Sequence, residues 1–182
     1  MHWSDIGKTQ PRLAKLAYDR LIDPGVVLVA TVRSDGTPRL SPVEPLILDG
    51  DLWLSMMWHS AKALDLLRDP RVLVHNVITS RSGTDGEFKI RGTATHEEKA
   101  TVQRRYADTA AATLGWDPEL GKFHLFAIDI EHTAFVSYDE PTGDQHVATW
   151  PPAREFIRRA TSATSVGDPE PVPATEGLLG AS

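Results

Sequence analysis

One lysine in the stretch WHSAKALDLLRDPRV (58–72) lies at a position that packing does not explain. Ser60 is a good helix N-cap and Asp69-Pro70 a stop signal, so a short helix is predicted between them. Lys62 then falls in the first turn, where the helix dipole favours an anion over a cation. A bound phosphate would remove this conflict, because it would accept hydrogen bonds from the helix N–H groups and neutralise the lysine. The other interpretation is a solvated lysine on a surface turn.

Two further cations lie where predicted strands meet turns or alternate with apolar residues. Arg39 follows the turn SDGT (34–37), and Arg91 lies on the polar face of the strand FKIRGTATH (88–96). Arginines on the solvent face of an antiparallel sheet are ordinary, so neither residue alone indicates a binding site.

The sequence shows no arrangement typical of catalysis by side chains. Its seven histidines are scattered without the spacing of a metal-binding helix, so solvated or core histidines are expected and no metal ligand is predicted. It contains no nucleophile elbow, phosphate loop or dinucleotide fingerprint. We therefore predict no catalytic residue.

Tight turns separate most of the apolar segments, which favours hairpins and a largely antiparallel sheet. The predicted strands are VVLVATVR (26–33), PRLSPVEPLIL (38–48), LWLSMMW (52–58), RVLVHNVI (71–78), FKIRGTATH (88–96), KFHLFAIDIE (122–131) and TAFVSYD (133–139), with HVATW (146–150) as a further short candidate. In the second segment Pro42 and Pro45 each remove a ladder donor, which predicts an edge or a bulge there.

Helices are predicted on the flanks of this sheet. The first begins at Pro11 and ends near residues 23–25. In the short helix after Ser60, the core-facing stripe is expected to be Ala63, Leu64 and Leu67. Thr95 and Glu98 have the spacing of a capping box, which predicts a helix from there to about Gly115. The segment AREFIRRA (153–160) is also helix-like.

The fold class predicted is mainly β, α+β: a six- to seven-stranded antiparallel split barrel with flanking helices. The chain of 182 residues is long enough for one full core, and residues 1–150 are expected to form that domain. Residues 151–182 are expected to be a partly flexible C-terminal extension, since the part from about 163 is rich in Ser, Thr, Pro, Gly and Glu.

Composition excludes several classes of partner. The net charge of −6 argues against a general affinity for nucleic acid or anionic membranes. The chain has no cysteine, hence no disulfide or thiol chemistry, and no apolar run resembling a signal peptide or a membrane span. A cytoplasmic protein is the expectation.

The order of these pieces resembles the pyridoxamine 5′-phosphate oxidase-like superfamily of flavin- and deazaflavin-binding split barrels. The resemblance covers roughly residues 10–150. It rests on the hairpin VVLVATVRSDGTPRLSPV, the strand DGDLWLSM, the unit SAKALDLLRDPRV with its Ser-x-Lys and Asp-Pro-Arg-Val, and the strand RGTAT followed by a helix. Each piece is short, and the match depends on their order and spacing.

The resemblance implies a cofactor site built from ten residues. Ser60, Lys62 and Arg39 would contact the cofactor phosphate, and parts of two strands would line the ring. The complete set is Arg39, Ser41, Val43, Glu44, Ser55, Met56, Met57, Ser60, Lys62 and Trp150. Trp150 has two interpretations, as a cover for the ring from a partner chain or as an anchor for the C-terminal segment.

The implied cofactor is FMN, with the deazaflavin coenzyme as the alternative. The acidic tail of a deazaflavin coenzyme would need further cations, for which Lys8, Arg12 and Lys15 are candidates, although they equally fit a solvent face of the first helix. Family members are usually homodimers with the cofactor between subunits. The chain lacks the Arg-Leu-Ala-Pro-like end of the true oxidases, and Glu44 and Glu87 add acidic charge where many relatives are neutral.

The function predicted is a flavin- or deazaflavin-dependent oxidoreductase that transfers hydride or electrons between its cofactor and a small organic substrate. In such proteins the cofactor carries the redox chemistry and the chain supplies binding and orientation. The alternative is a non-catalytic split barrel that sequesters or senses flavin, haem or another aromatic ligand.

Overall fold

The computed structural model describes residues 1–172 and residue 177. Its helices are α1 (Trp3–Thr9), α2 (Pro11–Ala17), α3 (Ala61–Arg68) and α4 (Ala100–Leu114), and a π-helical turn (Tyr18–Ile22) extends α2. Its strands are β1 (Val27–Val32), β2 (Pro38–Val43), β3 (Pro45–Leu48), β4 (Asp51–Met57), β5 (Arg71–Asn76), β6 (Glu87–His96), β7 (Phe123–Tyr138), β8 (Gln145–Trp150), β9 (Arg154–Ser162) and β10 (Ser165–Pro171).

Six of these strands curl into a barrel that is open along one seam. Hydrogen bonding runs in the order β2-β1-β5-β6-β7-β4, and every neighbouring pair is antiparallel. β2 and β4 lie close to each other but are not paired within the described part of the chain. This gap is the split of a split barrel, so the predicted fold class is confirmed.

The long strand β7 joins the barrel to an extension of the sheet formed by β8, β9 and β10. The first half of β7 pairs with β4 and the second half with β8. On its other edge, β7 pairs with β6 along most of its length. The two strands predicted at 122–131 and 133–139 are therefore one strand, bent by a bulge opposite Arg91 and Gly92. Gly92 is required there, because a Cβ atom would overlap Asp129 O.

The predicted interruption of the second segment lies at Glu44. β2 ends at Val43, and β3 begins at Pro45 and pairs with β4 instead of β1. The chain thus crosses from one side of the split to the other within two residues.

Two apolar clusters hold these elements together. The larger one fills the barrel, where α1, α2 and the π-helical turn contribute Ile6, Leu13, Ala17 and Leu21. The smaller one lies between α4 and the outside of β3, β4 and β7, around Tyr106 and Trp53. α4 therefore covers the outer face of the strand that borders the split.

The predicted apolar stripe of α3 is wrong by one helical position. Ala63 is buried as expected, but the second buried apolar residue is Leu66, and Leu64 and Leu67 are 44% and 45% exposed. The reason is Asp65, whose buried carboxylate pairs with residues of β1 and β2 and so fixes which side of α3 faces the barrel.

Two further sequence predictions are corrected. Thr95 and Glu98 form no capping box, because β6 continues in register with β7 to His96 and α4 begins only at Ala100. The helix does end at Gly115, which takes the left-handed conformation.

The segment predicted as a helix at 153–160 is β9. Its pairing with β8 and β10, and the complete burial of Ile157, outweigh the helix propensity of its Ala, Arg and Glu residues. The sheet thus continues past residue 150, and residues 165–171 of the expected flexible extension are the strand β10. The rest of that extension, beyond residue 172, lies outside the described residues apart from residue 177.

Candidate functional site

The split of the barrel collects most of the predicted cofactor residues. β2 carries Arg39, Ser41 and Val43 on one border, β4 ends at Met57 on the other, and α3 begins next to that end. α3 packs against β1 and β4, and its side chains reach β2 through hydrogen bonds at Arg39 and Pro42. The structure therefore brings the end of β2, the end of β4 and the start of α3 together at one rim.

Lys62 lies on this rim and does not point away into solvent. Its ammonium group donates a hydrogen bond to Pro42 O at 2.9 Å, and the side chain is half-buried. A single carbonyl leaves the remaining ammonium hydrogens free to bind another acceptor. Lys62 is thus a cation held at the border strand of the split.

Ser60 occupies the N-cap position of α3 but does not cap it through its side chain. Its backbone is extended, its carbonyl accepts the first helical hydrogen bond from Leu64 N, and its hydroxyl bonds none of the helix N–H groups. Among the described residues that hydroxyl is buried without any hydrogen-bond partner. An unpaired buried hydroxyl costs about 1–3 kcal/mol, and an anion at the helix start could accept its hydrogen bond once the side chain rotates.

Arg39 is the best-fixed cation of the rim. Its Nε donates to Asp65 Oδ2 at 2.7 Å, and the side chain is 27% exposed. The Asp65 carboxylate also accepts from Thr31 Oγ1 at 2.9 Å and from an Arg68 terminal nitrogen at 3.2 Å. Burial raises the pKa of Asp65, but the hydrogen bonds from Arg39, Thr31 and Arg68 outweigh it, so the net pKa lies below the usual value.

The other predicted residues of β2 follow the alternation of a strand. Ser41 is half-buried and Val43 is buried on the same side as Arg39, whereas Glu44, at the crossing to β3, is exposed. Glu44 lies near the buried Tyr106 hydroxyl of α4. Burial raises the pKa of Tyr106 and the Glu44 carboxylate raises it further, against a lowering by Ser55. Ser55 lies close enough to Tyr106 to lower this pKa, but the Tyr106 hydroxyl has no hydrogen-bond partner among the described residues.

The three predicted residues of β4 point to different places. Met56 is buried in the barrel core, and Ser55 faces α4 next to Tyr106. Met57 is 74% exposed at the rim. Of the three, only Met57 exposes its side chain at the surface of this chain.

Trp150 lies apart from this rim. It is 5% exposed, belongs to the barrel core, and its carbonyl accepts a hydrogen bond from Thr133 Oγ1 at 3.2 Å. This environment favours the anchor interpretation over the cover interpretation.

A cluster of histidines beside Ser60 was not foreseen from the sequence. The His124 ring stacks on Trp58 with centroids 4.4 Å apart and planes at 9°, and its Nδ1 lies 3.3 Å from His96 Nε2. His59, with φ of 56°, lies edge-on at 6.1 Å. Burial lowers the pKa of His124, and His96 and His59 lower it further. No sequence signal could reveal this cluster, because its rings come from the ends of β4, β6 and β7.

Surface cavities lie outside the predicted site. One of them, about 710 Å³, lies between the β7–β8 turn and the β9–β10 hairpin, and its lining includes Tyr138, Thr161 and Ser165. Another, about 350 Å³, lies on the outer face of β1, β5 and β6, where Arg91 contacts Glu131 at 3.5 Å. Arg91 is therefore not part of the rim.

The described residues hold no group of three or more His, Asp or Glu side chains placed to bind a metal ion. In the same part of the chain, no helix combines the length and the apolar character needed to span a bilayer.

The pyridoxamine 5′-phosphate oxidase family model matches residues 15–137, more than half of the chain. The protein belongs to this family, as the sequence resemblance predicted. The matched segment contains the whole rim and ends within β7, before Trp150. No curated protein matches the chain.

Solved structures show the same fold. A conserved hypothetical protein of Mycobacterium tuberculosis is 25% identical, with a TM-score of 0.54 over 66% of this chain and 81% of that one. A NimC/NimA family protein of Clostridium acetobutylicum is 13% identical, with a TM-score of 0.59 over 81% and 96%. The haem storage protein HutZ of Vibrio cholerae is 15% identical, with a TM-score of 0.55 over 68% and 90%. Proteins with this fold thus include a haem-storing one as well as the oxidases after which the family is named.

Proposed function

We propose that the protein binds FMN at the rim of the split and acts as an oxidoreductase on a small organic substrate. The observation that carries this proposal is the unpaired, buried Ser60 hydroxyl at the start of α3, with Lys62 and Arg39 on the adjacent border strand. A phosphate is the ligand group that such donors fit, because it accepts several hydrogen bonds and carries negative charge. The deazaflavin coenzyme is the alternative cofactor, since it also carries a phosphate.

The residues present define what the chain would do and what the cofactor would do. The phosphate would be held by Ser60, Lys62 and the terminal nitrogens of Arg39, and Ser41 and Met57 lie along the rim where a ring could rest. FMN supplies hydride or electron transfer when it is bound. The chain needs no acid or base for that chemistry, so its part is to bind and orient the ring and to exclude water from one face.

A homodimer is part of the proposal, because the sheet leaves an apolar outer face beside the rim. Leu28, Ala30 and Val32 alternate with buried residues along β1 and are only half-covered. Their cross-strand neighbours Leu40 and Leu73 are 63% and 38% exposed. A face of this kind favours association with a second copy, which would close the open side of the cofactor site.

Titration of the purified protein with FMN, riboflavin and deazaflavin coenzyme tests the proposal. FMN should bind at least about tenfold more tightly than riboflavin, because only FMN carries the phosphate that charge-assisted hydrogen bonds recognise. A deazaflavin coenzyme that binds more tightly than FMN would favour the alternative cofactor. Equal affinities for FMN and riboflavin, or no binding of any of the three, would refute a phosphate site at the rim.

The second candidate function is haem binding without catalysis, which the histidine cluster favours. Trp58 and His59 are the exposed members of the cluster, and a protein of the same fold stores haem. Imidazole is a common ligand of haem iron. Haemin titration separates the two functions: a Soret band that is lost in His59→Ala but kept in Lys62→Ala supports haem, and unchanged free haemin spectra reject it.

The proposed location is the cytoplasm, which the cysteine-free sequence favours.

A further inference from the structure

Asp65 is buried at the centre of the cations that border the split, although no ligand role requires a carboxylate there. Its side chain is 5% exposed, whereas those of its partners Arg39 and Arg68 are 27% and 43% exposed. A buried carboxylate is costly unless it is paired and hydrogen-bonded, and Asp65 is both. We propose that Asp65 is a positioning residue, which orients Arg39 so that its terminal nitrogens face the phosphate. This inference rests on the proposed function.

The contact between Asp65 and Arg39 leaves part of the guanidinium group free to bind a ligand. Asp65 Oδ2 accepts only from Nε, at 2.7 Å, and no other contact of the guanidinium is found in the described part of the chain. The edge that carries both terminal nitrogens is therefore available for a bidentate bond to a phosphate. If Asp65 bound both terminal nitrogens instead, Arg39 would be saturated and could not serve a ligand.

The carboxylate is itself prevented from turning. Thr31 Oγ1, from the β1 residue paired with Arg39, donates to the same oxygen as Nε, at 2.9 Å. Arg68 donates to the other oxygen at 3.2 Å. Groups from three elements thus occupy both carboxylate oxygens. Because these groups fix the orientation of the carboxylate, they also fix the direction of the Arg39 side chain.

Lys62 lies on the same face of α3 as Asp65. Lys62, Asp65 and Arg68 follow one another at intervals of three and lie on one face of α3. Along that face Lys62 bonds Pro42 O, Asp65 bonds Arg39, and Arg68 bonds Val32 O. Two guanidinium groups against one carboxylate leave one net positive charge, to which Lys62 adds a second, so the rim keeps a charge suited to a phosphate dianion.

A purely structural role predicts a different outcome from a positioning role. If Asp65 only fastened α3 to the β1–β2 hairpin, its removal would lower stability and affect every ligand of the rim alike. If it positions Arg39, its removal weakens the part of the affinity that depends on the phosphate. The ratio of riboflavin to FMN dissociation constants measures that part separately from general damage to the site.

The test is Asp65→Asn, titrated with FMN and riboflavin at equal ionic strength. FMN affinity should fall by about tenfold, while riboflavin affinity changes by less than about twofold. In an Arg39→Ala background, Asp65→Asn should have no further effect on FMN affinity, because the two residues act as one unit. Leu66→Val is the matched control, because Leu66 is a buried apolar residue of the same helix, whereas the carboxylate bonds Thr31, Arg39 and Arg68. It should lower stability and leave the ratio unchanged.

Failure of this inference can be distinguished from failure of the proposed function. Wild type that discriminates FMN from riboflavin, with Asp65→Asn keeping the same ratio, overturns the positioning role alone. Equal losses in Asp65→Asn and Leu66→Val overturn it as well. Wild type that binds neither flavin overturns both proposals. If Asp65→Asn does not fold, Thr31→Val replaces it. The ratio of riboflavin to FMN dissociation constants should then fall by less than for Asp65→Asn, and an unchanged ratio would count against the inference.

Discussion

At the scale of single residues, local sequence chemistry identified the start of α3 but not its surroundings. The unusual position of Lys62 and the N-cap residue Ser60 are readable within three residues of chain, and the structure places both on the rim. Asp65 was missed because its partners Thr31 and Arg39 lie 34 and 26 residues away in sequence. Before strand pairing is known, a carboxylate within a helix gives no sign that it will be buried.

The histidine cluster gives a prediction at the same scale. Burial and the two neighbouring histidines keep the pKa of His124 below its unfolded value of about 6.5. Between these two pKa values the unfolded chain binds more protons than the folded one, so the free energy of unfolding falls as the pH drops through this window. Wild type should therefore lose more stability between pH 7.5 and pH 5 than His124→Gln does, as measured by urea denaturation.

His124 faces His96 and His59. Glu98 lies next to His96, with its Oε1 3.9 Å from His96 Nδ1. His132→Gln changes a histidine outside the cluster and serves as the control, with a pH dependence like that of wild type expected. Parallel pH dependence of wild type and His124→Gln would show that His124 does not titrate in this way.

At the scale of elements, alternation and turn residues located the barrel strands, and tertiary pairing decided the rest. The break at Glu44 could be anticipated from two prolines, although which strand β3 joins could not. The segment 153–160 was misassigned because its neighbours β8 and β10 supply hydrogen bonds that propensity does not include. The start of α4 was misplaced for the same reason, since pairing of β6 with β7 extends the strand.

The β7 bulge opposite Gly92 gives a prediction at this scale. Gly92→Ala would push a Cβ atom against Asp129 O and Ile130 Cα, and backbone cannot move aside as a flexible side chain can. The variant should lose about 2–3 kcal/mol of unfolding free energy, the usual cost of overpacking. Urea denaturation measures this loss.

Gly7→Ala is the matched control for that variant. Gly7 lies in α1, where a Cβ atom would meet nothing closer than Ala14 Cβ at 3.9 Å. The same chemical change should be neutral or stabilise by up to about 1 kcal/mol, because alanine has the higher helix propensity. Equal effects of the two variants would contradict the close backbone approach at the bulge.

At the scale of the whole molecule, we propose that a second copy of the chain completes the cofactor site. The border of the split is lined by cations and is open on one side, next to the apolar face that includes Leu40 and Leu73. The fold class follows from hairpin connections in the sequence, whereas the apolar outer face depends on strand pairing that no local pattern reveals.

The oligomeric state tests this view. Analytical ultracentrifugation should show wild type at about twice the chain mass of 20.0 kDa. Leu40→Asp should shift it towards monomer, because a charge placed in an apolar interface is desolvated without a partner. Leu120→Asp, which alters an exposed leucine in the α4–β7 connection, should leave the mass unchanged. A monomeric wild type would contradict the dimer.

The most direct test of the central claim is the FMN affinity of Lys62→Ala beside that of Lys122→Ala. Lys62 donates to the border strand of the split, whereas Lys122 lies near the start of β7 and pairs with Glu119 at 3.9 Å. Loss of one charge-assisted bond to the phosphate should cost Lys62→Ala about 2 kcal/mol, roughly a thirtyfold weaker Kd, with Lys122→Ala unchanged. A Lys62→Ala protein that binds FMN as tightly as wild type would contradict an anion site at the start of α3.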